Sequence, residues 1–128
     1  MNDDSDVSYK RSVDTAQTRA EDGGFMQILV GPNSGSKNHR LQYNRSPAGR
    51  DSRRGYHVHD YEKTICILEG EMSFEIEEKE VTARVGDVVF IPAGTAHRGW
   101  NSGTSENAYI QCMAPIPDPN KPAGRTLR

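Results

Sequence analysis

The stretch Gly86-Asp87-Val88-Val89-Phe90-Ile91-Pro92-Ala93-Gly94-Thr95-Ala96-His97-Arg98-Gly99-Trp100-Asn101 decides how the rest of the chain is read. It opens on a Gly-Asp turn, runs through four apolar residues, turns again around Pro92 and Gly94, and ends on a segment carrying a histidine. Glycine frees the backbone where a turn needs it, and proline fixes the entry to the segment that carries His97. Val88 to Ile91 is apolar at every position, which predicts a short strand buried on both faces, as in a sandwich core.

Outward from this stretch the same pattern of short strands and turns continues. Met72, Phe74 and Ile76 alternate with Glu71, Ser73, Glu75 and Glu77, the signature of a half-buried strand. Val81 to Val85 reads as the strand after it. Tyr56 to Leu68 reads as one long strand that Glu69-Gly70 turns. Phe25 to Val30 is a strand stopped by Gly31-Pro32, Leu41 and Tyr43 mark a second, and Ala108 to Met113 is the last. Helical periodicity is absent. Turn residues every 8 to 12 positions between short strands indicate an all-β sandwich or small barrel.

The ends differ in kind from the middle. Residues 1–22 hold six acidic residues and three basic ones, with only Val7, Tyr9 and Val13 as sizeable apolar side chains. Such a segment is expected to be a flexible arm, or a strand that orders only against a partner subunit. From Pro115 the chain carries Pro115, Pro117, Pro119 and Pro122, which predicts an extended tail over 115–128. The 128 residues therefore divide into an arm, a barrel over 23–114 and a tail, and the polar excess behind the low hydrophobic share of 34% sits in the arm, the tail and two charge blocks. No apolar run approaches the roughly 18 residues of a membrane span, and Met-Asn-Asp-Asp-Ser-Asp is not a secretory leader. Net charge is -2, which gives no reason to expect nucleic acid as a partner. Cys66 and Cys112 in apolar surroundings suit free thiols in a reducing cytoplasm. Two charge blocks flank a histidine pair: Lys37, Arg40, Arg45, Arg50, Arg53 and Arg54 before it, and Glu69, Glu71, Glu75, Glu77, Glu78 and Glu80 after it. Either they solvate strand edges, or the arginines attract an anionic substrate.

That pair is His57 and His59. Two apart on a strand, both imidazoles point to one face, roughly 6 to 7 Å apart. Two imidazoles inside an apolar barrel are costly unless something satisfies them. A divalent metal does so by taking a nitrogen from each ring.

At its fixed positions the opening stretch resembles the second motif of the cupin superfamily, G-x5-P-x-G-x2-H-x3-N. His57-Val58-His59, continuing to Gly70, resembles the first, and fifteen residues lie between Gly70 and Gly86. The resemblance covers roughly Phe25 to Ala114. It implies a double-stranded β-helix, or jelly-roll barrel, with His57, His59 and His97 as metal ligands. It also implies a homodimer, in which cupins often exchange an N-terminal strand. The sequence departs from the pattern where a metal glutamate is expected, because the spacing puts Lys63 there. It departs again in the lengthened, arginine-rich loop between Gly49 and His57. Three outcomes stay open at the metal. The site is a three-histidine centre; or a bulge near Asp60-Tyr61 turns Glu62 inward as a fourth ligand; or no functional metal is held. The metal would be a divalent transition ion: Fe(II), Zn, Mn or Ni.

Lys63 either snorkels to the barrel mouth and pairs with a carboxylate such as Glu75, or acts as a cation beside the metal that neutralises substrate or donates a proton. Tyr61, assigned to the histidine face, is either a core aromatic or a group that positions or protonates substrate. Gln111 is a candidate lining residue. His39 is expected in solvent, Cys66 on the face away from the histidines, and Trp100 at a subunit interface. The expected function is a metal-dependent enzyme acting on a small oxygen-rich metabolite, by dioxygenase or by isomerase or cyclase chemistry. The alternative is a non-catalytic cupin that binds a small molecule or metal.

Overall fold

A computed structural model of the chain describes residues 9–14, 19, 21, 23–49 and 56–118, and the backbone of 125–127. The strands are β1 (Phe25–Val30), β2 (Arg40–Ser46), β3 (Tyr56–Val58), β4 (Glu62–Glu69), β5 (Glu71–Ile76), β6 (Lys79–Arg84), β7 (Val88–Ile91), β8 (His97–Trp100), β9 (Asn107–Ala114) and β10 (Arg125–Leu127). They form two five-stranded antiparallel sheets. The first has the order β1-β2-β9-β4-β7 and the second β10-β3-β8-β5-β6. This is the all-β, two-sheet architecture that the strand pattern predicts, in the jelly-roll, double-stranded β-helix form that the resemblance implies. Among the described residues no helix is long and apolar enough to cross a membrane.

Period-two alternation explains the packing between the sheets. On β4, Ile65 and Ile67 face inward and meet Phe74 of β5, Ala83 of β6, Ile91 of β7 and Tyr109 of β9 in one buried cluster. Each large member contributes about 1.5–3 kcal/mol by leaving water. A second cluster lies on the back of the first sheet: Phe25, Leu29, Tyr43 and Ala108, with Val13, Leu41 and Ile110 against it. The side chain of Gln27 accepts from the Asp14 N–H at 2.8 Å and donates to the Ser12 carbonyl at 3.1 Å. Part of the polar N-terminal segment thus finds partners within its own chain. Residues 1–8, 15–18, 20 and 22 of that segment, the loop 50–55 with its arginines, and the tail residues 119–124 lie outside the described residues. Arg125–Leu127 pairs with β3 at the edge of the second sheet.

Three expectations change. The single strand over 56–68 is two, because β3 belongs to the second sheet and β4 to the first, and the chain crosses between them at His59 to Tyr61. Val88–Ile91 is not buried on both faces. It is the edge strand of the first sheet, with Val88 61% and Phe90 52% exposed. Trp100 is 8% exposed, already covered by its own chain.

The two charge blocks partly pair with each other. Arg45 of β2 donates to Glu69 at 2.8 Å, to Glu106, and to the Tyr43 hydroxyl at 2.6 Å, while Glu106 also accepts from Arg19 at 2.7 Å. Mutual hydrogen bonding holds the Glu69 and Glu106 carboxyls below their ordinary range and raises Arg45.

Candidate functional site

The crossover at His59 is what assembles the site. His57 on β3 pairs directly with His97 on β8. Gly94, at φ +77°, makes the turn that leads into β8, and its N–H donates to the His59 carbonyl at 2.9 Å. The turn carrying His97 is thereby tied to the loop carrying His59. The ring centroids of His59 and His97 are 5.0 Å apart; those of His57 and His59 are 6.4 Å apart with nearly parallel planes. His97 Nδ1 lies 3.0 Å from the Thr95 carbonyl. A carbonyl only accepts, so Nδ1 carries the proton and Nε2 keeps its lone pair. Burial lowers the His97 pKa to about 4, with further lowering from Lys63 and the other two histidines against an opposing contribution from the Thr95 bond.

All three histidines line one cavity of about 530 Å³ between the sheets, within the size range of small-molecule sites. Lys63 and Gln111 enter it from the first sheet, and Ile65, Met72, Phe74, Ile91 and Tyr109 form its apolar part. Gly99 borders it as well. A Cβ there would lie 3.0 Å from the Phe74 ring, so glycine is what lets that ring lie flat against β8. Arg98 also borders the cavity, but its side chain is engaged on the far face of the second sheet. It donates to Glu75 at 2.9 Å and sits over the Tyr56 ring, while the Tyr56 hydroxyl donates to Glu75 at 2.8 Å.

Lys63 lines the cavity and Glu62 does not. β4 pairs regularly with β9 from Glu62 to Ile67, so no bulge there turns Glu62 inward; it is exposed on the other face. Glu75, the suggested partner of Lys63, is taken by Arg98, its direct cross-strand neighbour. Burial, with a smaller repulsion from Arg40, lowers the Lys63 pKa to about 8. Tyr61 is buried and stacks on His59 with centroids 4.7 Å apart, but it is not among the residues lining the cavity. Burial raises its phenol pKa. His39 is half-buried beside Ser36 instead of free in solvent. In the sequence Arg40 stands out only as part of a charge block. The register Arg40–Met113–Lys63 puts it on the inward face two strands from Lys63, and the period-two count from Gln42 would have found it.

Residues 45–112 match the Cupin domain family, and these include His57, His59 and His97 with the turns between them. The chain belongs to the cupin family. Among solved structures this cupin is similar to an RmlC-like cupin with a double-stranded β-helix fold from Methanocaldococcus jannaschii. That pair is 14% identical with a TM-score of 0.66, covering 85% of this chain and 92% of the other. It is also similar to the polyketide cyclase RemF of Streptomyces resistomycificus, at 20% identity and TM-score 0.65 over 89% and 77% of the two chains. A third is the DMSP lyase DddQ of Ruegeria pomeroyi, at 22% identity and TM-score 0.63 over 80% and 51%. No curated protein sequence is significantly similar to this cupin. At these identities the structures speak for the fold, and the fold serves enzymes of different chemistry.

The three imidazoles are suitable donors for a divalent transition ion, and the fixed His97 tautomer leaves a free nitrogen. Among the described residues, however, no three His, Cys, Asp or Glu side chains are already gathered closely enough to hold one. The parallel rings of His57 and His59 would have to turn toward each other.

Proposed function

We propose that this cupin is a metal-dependent enzyme acting on a small oxygen-rich metabolite, with a divalent transition ion (Fe(II), Zn, Mn or Ni) held by His57, His59 and His97. The observation that carries this reading is the meeting of three imidazoles from two strands and a crossover loop in one cavity. A metal with three protein ligands keeps open positions and supplies Lewis-acid or, for iron, dioxygen chemistry. The chain's own residues do the rest. Thr95 fixes the His97 tautomer, and Tyr61 braces His59 from behind. Lys63 is a positioned cation and proton donor opposite the histidines, and the apolar wall of Ile65, Met72 and Phe74 excludes water. Glu62 is not in this ligand set.

The second reading, a non-catalytic cupin that binds a small molecule, is favoured by Lys63 standing where it repels a divalent ion. Metal analysis of protein purified without chelator separates the two. Near one ion per chain, lost in His97→Ala, supports the enzyme; none in the native protein leaves the binding module. Oxygen uptake with small enolisable substrates then separates a dioxygenase from an isomerase or cyclase.

We further propose a cytoplasmic homodimer. Val88 and Phe90 stand exposed on the back of the first sheet beside Cys66 and Ile110, an apolar strip suited to a second copy. Light scattering is expected to show a dimer that Phe90→Glu weakens; a monomeric native protein refutes it.

A further inference from the structure

The inner face of the first sheet carries positive charge that no described residue balances. Among the described residues that line the cavity there is no aspartate or glutamate. Lys63 reaches into the cavity with no ion pair or hydrogen bond to any described residue. Beyond Met113, in the same inward row, lies Arg40, which among the described residues donates only to the Met113 sulfur at 3.5 Å and whose buried Nε finds no partner there. Two cations on one inward face without a carboxylate are costly. Elsewhere this chain pairs such groups, as it does Arg45 and Arg98. The Gln111 amide adds a neutral hydrogen-bonding group on the next strand, diagonal to Lys63. Across from these groups, on the second sheet, Met72 and Phe74 stand beside the histidines, and Ile65 and Tyr109 of the first sheet complete the apolar part of the cavity.

We infer that the cavity takes a small organic acid, with its carboxylate at Lys63 and Gln111 and its apolar body against Met72 and Phe74. The inference rests on the reading of the cavity as a small-molecule site, but it does not require the metal. A carboxylate supplied from outside provides the counter-charge that the lining lacks, and a charge-assisted bond to Lys63 is shielded there from bulk water. The apolar wall sets a second requirement, which excludes a bare inorganic anion as the preferred ligand.

The test uses the full chain after chelator treatment, with metal content measured in parallel on untreated protein. Calorimetry compares benzoate and octanoate with benzamide, octanamide and inorganic phosphate. The expected result is that at least one carboxylate binds about tenfold or more tightly than its amide. Lys63→Met removes that preference, Lys63→Arg keeps it, and phosphate binds more weakly than the carboxylates. Equal binding of acid and amide, binding of neither, or a preference that survives Lys63→Met overturns the inference. Phosphate binding as tightly as the organic acids overturns its apolar half. A chain without metal that still prefers the acids defeats the metal proposal alone, and a metal-loaded chain indifferent to them defeats this inference alone.

Discussion

Arg45 and Lys63 are both cations on strands of the first sheet, yet among the described residues one is surrounded by partners and the other by none. Arg45 is 15% exposed and reaches Glu69, Glu106 and Tyr43, joining strands to the loop before β9. Lys63 faces a cavity lined by imidazoles, hydrocarbon and the Gln111 amide. The difference separates charge that holds the fold from charge that waits for a ligand. A paired cation stabilises the structure around it; an unpaired one costs stability until something outside the chain completes it.

Removing Arg45 should therefore have the largest effect on the fold. Arg45→Met leaves two carboxylates facing each other and a tyrosine hydroxyl without its donor, and should destabilise by about 2–3 kcal/mol in urea unfolding. A loss under about 0.5 kcal/mol would place Arg45 among ordinary surface charges.

The pH profile sharpens the same contrast in metal-free protein. Lys63 has a folded pKa of about 8 against an ordinary 10.5. The unfolded chain binds more protons between those values, so stability should rise with pH from about 8 to 10.5 and the penalty should be complete below 8. His97, at about 4 against 6.5, should cost stability as pH falls from 6.5 to 4. The carboxyls of Glu69 and Glu106 are held below 4.5 by Arg45, and their contribution should be lost only in more acid solution. Unfolding midpoints across pH should show the alkaline rise in native protein and not in Lys63→Met; parallel profiles would contradict the assignment. The smallest effect is expected at Glu69→Gln. That side chain is 56% exposed, and its loss should cost under about 1 kcal/mol and diminish in high salt.

The sequence-legible parts of this cupin are those where one residue type dictates one local geometry. Gly86 and Gly94 adopt positive φ where turns were expected, and Met72, Phe74 and Ile76 alternate as read. The inward placement of Lys63 follows from parity because β4 is regular from Glu62 to Ile67. Parity fails at Tyr61, since no glycine or proline marks the place where the chain leaves one sheet for the other. The exposure of Val88 and Phe90 was hidden because an edge strand with apolar residues on both faces has the composition of a central one. Arg98 and Glu75 find each other through register across β5 and β8, and Gly99 yields space to Phe74 from another strand. Such long-range neighbours leave no mark within a local window of sequence.

The contrast between the two cations is tested most directly by measuring Lys63→Met beside Arg45→Met in urea unfolding of metal-free protein at pH 7. Methionine fills a volume similar to lysine without a charge to desolvate, so Lys63→Met should stabilise the fold by about 1–2 kcal/mol while Arg45→Met destabilises it. Loss of stability in both variants would mean that Lys63 is already paired within the chain, and would contradict the account.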